Sequence, residues 1–255
     1  MSGPASDRGI ARFSRNHAVH VWHGRVPDLP DPADVALLDA NEHATFRRRS
    51  APFDGHYAGA HAALRRVVAD HYLGCPPAAV RFGRHPCPRC ADPTHGRPRI
   101  VAPATRLDFS LSRSGPYWLL AVTAGGPVGI DIEQVTGRAG VDEAADVALS
   151  EGELGLLRGI GDEREREELF LRAWTRKEAV LKATGVGIVA DLRDLDALTP
   201  GGGGPLRIDH NEPRIGGSWE VYDLFVGSGL SAALARASAH AGPVVLRRAP
   251  EPAAA

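Results

Sequence analysis

The chain has 255 residues, 43% of them hydrophobic, enough to bury one large core or two small ones. Its net charge of −1 conceals 16 Lys+Arg against 10 Asp+Glu over residues 1–127 and 14 against 21 over residues 128–255. A basic half joined to an acidic half suits a phosphate-rich ligand bound beside a metal. A pI near 6.8 and no Lys/Arg run beyond Arg47-Arg48-Arg49 argue against nucleic acid, and no apolar stretch is long enough for a bilayer.

The first 18 residues are polar, carry Arg8, Arg12 and Arg15, and lack the apolar region of a secretory signal, so a cytoplasmic protein is expected. Residues 18–23 read as a short strand and residues 27–34 as a Pro/Asp-rich loop. Residues 34–46 read as one helix, running into Arg47, Arg48 and Arg49. Such a triplet is usually a solvated face, with a phosphate contact as the alternative. Residues 55–73 form an amphipathic helix ending at Gly74. Its apolar set is Tyr57, Ala60, Leu64, Val67, Val68 and Leu73, with Arg65 and Arg66 toward water or ligand.

Residues 81–100 are the least ordinary in composition. Cys87, Cys90 and His95, with Cys75 or His85 as a fourth candidate, could enclose Zn²⁺ in tetrahedral N/S geometry. One Cys-x-x-Cys is half of the usual signature, and free thiols are the alternative; a structural disulfide is not expected in a reducing compartment. Strands at 99–102 and 117–124 follow. Ala124-Gly125-Gly126-Pro127 then reads as a hairpin turn into the next strand.

That next strand is Pro127-Val128-Gly129-Ile130-Asp131-Ile132-Glu133. Its period-2 alternation sends Ile130 and Ile132 into a core and sets Asp131 and Glu133 side by side on the other face. Like charges that close call for a cation, and oxygen ligands suit Mg²⁺; an exposed acidic edge strand is the alternative. Ser150-Glu151-Gly152-Glu153 has capping-box form and opens a helix through Leu157. Residues 163–184 form a helix with an apolar stripe of Leu169, Phe170, Ala173, Trp174 and Leu181, stopped by Gly185. Trp174, Glu178 and Lys182 are spaced four apart and line one helix face. Gly201–Gly204 is a loop, three strands follow at 206–209, 219–225 and 231–235, and the tail from 243 to 255 is expected to be disordered.

Gly129-Ile130-Asp131-Ile132-Glu133 followed by Trp174-Thr175-Arg176-Lys177-Glu178-Ala179-x-x-Lys182-x-x-Gly185 resembles the two-part signature of the 4′-phosphopantetheinyl transferases. The similarity is to the larger, two-lobed type that serves peptide and polyketide synthases in natural product biosynthesis, and it covers roughly residues 38–235. The resemblance implies an α+β fold of two similar, pseudo-twofold-related lobes, each a small antiparallel sheet packed with helices. They would be an N-terminal lobe (1–127) on the coenzyme A side and a C-terminal lobe (128–255) with the carboxylates and catalytic helix. It implies a monomer that transfers 4′-phosphopantetheine from coenzyme A to a serine of an acyl or peptidyl carrier protein, releasing adenosine 3′,5′-bisphosphate.

In that reading Asp131, Glu133 and Glu178 would ligate Mg²⁺, and Glu178 would instead, or also, take the proton of the carrier serine, directly or through water. Lys182 would stabilise the departing phosphate, and Lys177 would make a coenzyme or a structural contact. Gly96-Arg97-Pro98 resembles the family's Gly-Lys-Pro segment at the adenine and 3′-phosphate end of the coenzyme, which makes Arg97 and Pro98 candidates. Residues 107–114 match a Phe-Asn-x-Ser-His-Ser element near the coenzyme phosphates. Ser110 replaces its Asn and Arg113 its His, while Ser112 and Ser114 are retained. His56 stands where the family usually has a phosphate-binding Arg. Because these departures all fall on the coenzyme side, the alternative is a degenerate relative that binds coenzyme A or a carrier without transfer.

Overall fold

The computed structural model describes residues 17–137, 140–186, 190–198, 205–210, 216–239 and 242–250. The architecture is α+β, as expected. Contacts divide it into two compact units: the first from Met1–Gly83, Pro98–Gly125 and Ala241–Ala255, the second from Arg84–Arg97 and Gly126–His240.

In the first unit, β1 (Val19–Arg25), β4 (Asp108–Ser114), β5 (Tyr117–Thr123) and β10 (Val244–Arg248) form a sheet in the order β10-β1-β5-β4. β2 (Arg81–Arg84) and β3 (Pro98–Ala102) make a separate ladder. Alternation gives the sheet two faces. Trp22, Phe109, Trp118, Leu120 and Val122 pack with Ala60, Leu64, Val67 and Val68 of α3 (Phe53–Val68) in one core. α3 continues as a π-helical turn, Ala69–Leu73, closed by Gly74 at φ +62, a left-handed stop that suits glycine.

Four expectations for this part of the chain need correction. The single helix over 34–46 is two short ones, α1 (Pro32–Val35) and α2 (Ala40–Phe46). The Asp39 carboxylate accepts from the Asn41 and Glu42 backbone N–H groups, and Glu42 reaches back to the Asp39 N–H. That capping box starts a new helix where apolar periodicity alone runs on. Arg65 does not face water: it is 2% exposed, with Nη2 2.6 Å and Nη1 3.0 Å from the Glu42 carboxylate. Arg66 is tied to Asp34 at 2.5 Å.

Gly125-Gly126-Pro127 makes no hairpin, because β5 and the strand that follows belong to different sheets. The tight hairpin is β4–β5 across Gly115-Pro116, where Gly115 takes φ +54. The tail is also ordered over β10, which pairs in parallel with β1 from Val19↔Val244 to His23↔Arg248.

The second unit holds an antiparallel sheet in the order β6-β9-β8-β7, built from β6 (Val128–Gln134), β7 (Leu206–His210), β8 (Gly217–Asp223) and β9 (Leu230–Ala237). The sequence pattern did not single out α4 (Val141–Ala148); α5 (Glu151–Arg158) and α6 (Glu163–Thr184) were expected. Asp162 caps the N-terminus of α6, and Gly185, at φ +80, ends it. The helix buries Phe170, Ala173, Ala179, Val180, Leu181 and Ala183 in a core with Ile208, Trp219, Val221, Ala233 and Ala235 of the sheet. The expected Gly201–Gly204 loop lies outside the described residues.

Candidate functional site

Gly129, Asp131 and Glu133 share one face of β6, paired across to Ala235, Ala233 and Ser231. Ala233 and Ala235 pack under α6, so this acidic face looks at the helix. Gly129 makes the approach: a Cβ there would lie 1.9 Å from the Ala179 carbonyl oxygen and 2.5 Å from the Ala183 nitrogen. Two residues on, Asp131 is only 3% exposed, and Lys182 Nζ donates to its Oδ1 at 2.5 Å. The face expected to hold carboxylates side by side does so, under a helix and not in open solvent.

The line Trp174–Glu178–Lys182 is half-buried along its length, while Thr175, Lys177, Ala179 and Leu181 on the flanking faces are buried. Glu178 has no ion-pair partner among the described residues. Burial first, and then the Asp131 charge, push its carboxyl above the ordinary carboxylate range, against a smaller pull from Lys182. Asp131 and Glu178 thus both feel the Lys182 ammonium.

The other members of the helix motif hold the fold. Thr175 Oγ1 meets Ser231 Oγ of β9 at 3.2 Å. Arg176 forks onto Asp223 at 2.8 and 2.6 Å and donates a third bond to the Ala197 carbonyl at 2.6 Å. Lys177 is fully buried, and its ammonium bonds the Ala148 carbonyl at 2.8 Å and the Glu153 carboxylate. Of the two contacts expected of Lys177, the structure shows the structural one; burial with Glu153 removes it from a coenzyme set. Glu153 also accepts from the Ser150 and Ala197 N–H groups, so one carboxylate joins α5, α6 and the segment before β7. Glu167, another residue the sequence reading missed, accepts from the Thr136 and Gly137 N–H groups at 2.9 and 2.8 Å and pins the loop after β6.

The coenzyme candidates of the first unit do not gather. Arg113 and Ser112 are neighbours on β4 and so face opposite sides of the sheet. Arg113 lies over the Tyr57 ring at 4.9 Å, on the side of α3, and Arg49 lies over the same ring at 5.0 Å. Neither guanidinium has a carboxylate ion-pair partner among the described residues. Burial, and then the Arg49 charge, lower the Arg113 pKa. Two guanidinium groups thus stack on one ring. Ser110 and Ser112 are buried on the far face. His56 is buried too, with Nε2 held by Asp28 at 2.8 Å, so this ring is committed to an internal pair and does not replace the family's Arg.

Arg97 belongs to the second unit and lies against the C-terminal end of α6. A Cβ on Gly185 would meet its Cγ at 2.5 Å. Beside it opens a cleft of about 410 Å³ between Pro86 and Arg97 on one side and Ala183, Thr184 and Trp219 on the other. Pro98 begins β3.

Residues 127–234 match the model of the 4′-phosphopantetheinyl transferase superfamily. The 4′-phosphopantetheinyl transferase HetI of Nostoc sp. is 33% identical over 71% of this chain and 75% of its own. The chain belongs to the 4′-phosphopantetheinyl transferases, in their larger type. Two further relatives of this family are the putative 4′-phosphopantetheinyl transferase slr0495 of Synechocystis sp. and an L-aminoadipate-semialdehyde dehydrogenase-phosphopantetheinyl transferase of Eremothecium gossypii. The first is 28% identical over 64% of this chain and 63% of its own, the second 36% over 68% and 61%. For a transferase of this family, the matched span starts just before β6 and ends within β9, so it takes in the acidic strand and all of α6. No helix among the described residues is long and apolar enough to cross a membrane.

Proposed function

We propose that this transferase moves 4′-phosphopantetheine from coenzyme A to a serine hydroxyl of an acyl or peptidyl carrier protein, in a Mg²⁺-dependent reaction. The observation that carries the reading is the Lys182–Asp131 pair beside Glu178, set where Gly129 lets α6 touch β6. Asp131, Glu133 and Glu178 offer hard oxygen donors of the kind that suit a divalent cation, and burial, then the Asp131 charge, raise the Glu178 carboxyl. Their ligand atoms do not converge as tightly as those of Cys87, Cys90 and His95. The Lys182 ammonium already neutralises one oxygen of Asp131. Bound there, Mg²⁺ would supply charge neutralisation for the pyrophosphate.

The chain's own groups divide the rest of the work. Glu178, its pKa raised toward the working range of a general base, accepts the proton of the carrier serine. The serine oxygen bonds to the pantetheine-side phosphorus as the pyrophosphate P–O bond breaks. Lys182 neutralises the charge that develops on the departing adenosine 3′,5′-bisphosphate. Arg97 beside its cleft serves the nucleotide end of the coenzyme. Arg49 and Arg113 on Tyr57 are a separate cationic pair that suits a phosphate.

Intact-mass measurement of apo-carrier proteins incubated with the transferase, coenzyme A and Mg²⁺ tests this. A gain of one phosphopantetheinyl group that disappears without Mg²⁺ is expected. No gain with any of several carriers, while coenzyme A still binds, would favour a binding protein instead.

A further inference from the structure

The segment Arg84–Arg97 interrupts the β2–β3 ladder and packs with the second unit. Its ends are zipped: the His85 N–H donates to the Arg97 carbonyl at 2.8 Å, and Arg84 Nη1 to the Gly96 carbonyl at 2.8 Å. Gly96 is needed there, since a Cβ would fall 1.8 Å from the His85 carbonyl oxygen. Between these ends the chain makes a tight turn on Cys87. The Ala91 N–H returns to the Cys87 carbonyl at 2.8 Å, the Cys87 N–H goes to the Asp92 carbonyl at 2.8 Å, and Ala91 takes φ +60. That left-handed conformation costs about 1 kcal/mol or more for a residue with a Cβ. Within the turn, the backbone N–H groups of Arg89 and Cys90 both donate to the Cys87 sulfur.

The ligating atoms of Cys87, Cys90 and His95 all lie within 4.8 Å of one another, the one such group of His, Cys, Asp and Glu among the described residues. Cys90 Sγ is 3.3 Å from His95 Nε2. A tetrahedral zinc with Zn–S about 2.3 Å and Zn–N about 2.0 Å sets sulfur and nitrogen about 3.5 Å apart, close to that distance. The Asp92 carboxylate, 3.6 Å from His95 Nε2, adds a nearby negative charge.

We propose that Cys87, Cys90 and His95 bind one Zn²⁺, with solvent as the fourth ligand, and that the ion clamps the Arg84–Arg97 segment. Cys90 and His95 are exposed, so the metal has an entry path and room for a water. The clamp reaches the cleft through two residues: His95 is followed by Gly96, pinned on His85, and then by Arg97, whose side chain lies on Gly185. The ion therefore fixes where Arg97 stands at the end of α6. None of this depends on which reaction the protein performs.

The test is zinc content of the full-length protein purified under reducing conditions without chelator, by elemental mass spectrometry. About one zinc per chain is expected, kept in Cys75→Ser and falling to about a tenth or less in Cys90→Ser and in His95→Ala. Both altered positions are exposed, so these variants should fold. Replacement by Co²⁺ should give a thiolate-to-metal charge-transfer band that Cys90→Ser weakens. A zinc content well below one per chain in the parent, with Cys87 and Cys90 alkylated equally fast with and without added zinc, overturns the proposal. So does zinc retained in both Cys90→Ser and His95→Ala.

Discussion

The two units carry opposite errors of charge. In the second, the Asp131–Lys182 pair stands beside Glu178, which has no ion-pair partner among the described residues. In the first, Arg49 and Arg113 stack on Tyr57 without a carboxylate ion-pair partner among the described residues. Other buried charges close on a partner. Lys177 closes on Glu153, and Arg65 closes on a Glu42 that also accepts from His61. A matched, buried pair fixes one element against another and leaves nothing for a ligand. An unmatched cluster costs stability, and a ligand of the opposite sign recovers it. The lesson is local: lysines five residues apart on α6 fall on opposite sides of this division.

The sharpest way to break the comparison is Glu178→Gln. It should lower kcat about 10²–10⁴-fold, as loss of a general base does, and leave the circular dichroism spectrum unchanged. In the metal-free protein the same change removes a carboxylate whose folded pKa is raised. Ionised Glu178 opposes folding above the ordinary carboxylate pKa, so the variant should melt higher than the parent at neutral pH. A variant of near-normal rate would remove Glu178 from the chemistry.

Lys177→Met should do the reverse. Leaving Glu153 buried without its partner costs about 3–5 kcal/mol, visible in urea unfolding, while kcat of the surviving folded fraction stays near the parent value. A selective loss of rate at full stability would move Lys177 to the reacting side.

Glu42 gives the matched network of the first unit a pH signature. Burial pushes its carboxyl up, but hydrogen bonds from His61, Arg65 and the Asp39 N–H outweigh that and hold it at about 2. A depressed carboxyl stabilises the fold above its unfolded pKa and loses that contribution as pH falls through the folded one. Between pH 5 and pH 2 the parent should therefore lose on the order of 2–3 kcal/mol that Glu42→Gln never had. Parallel stability curves for the two proteins would contradict the network. The smallest expected effect is Arg113→Ala, which should raise KM for coenzyme A roughly 10- to 100-fold through loss of one charge-assisted phosphate contact, with kcat little changed.

Much of this division was written in local spacing. The alternation of 127–133 placed Asp131 and Glu133 on one face, and the four-residue step placed Trp174, Glu178 and Lys182 in one line. Those patterns depend only on strand and helix geometry. The partners that decide what Arg176 and Lys177 do are 47 and 24 residues away, Asp223 and Glu153, and no period reaches that far. Gly129 has its reason in the backbone of α6, and His56 in Asp28, equally out of local view. Gly125-Gly126-Pro127 failed differently: its turn chemistry suits a hairpin and a crossover alike. Arg113 and Ser112 were legible as a motif, and the same period-2 rule that sorted β6 separates them on β4.

The pairing of β10 with β1 has a consequence for how the chain is made. The first unit's sheet is finished by residues 244–248, which leave the ribosome only after the whole of the second unit. Until then the outer backbone edge of Val19–His23 has no strand to pair with, and open edges recruit strands from other molecules. The second unit has all its strands in hand by Ala237. Synthesis thus completes the domain that begins first last. A chain stopped before Val244 should therefore keep a folded α6 sheet and aggregate through β1.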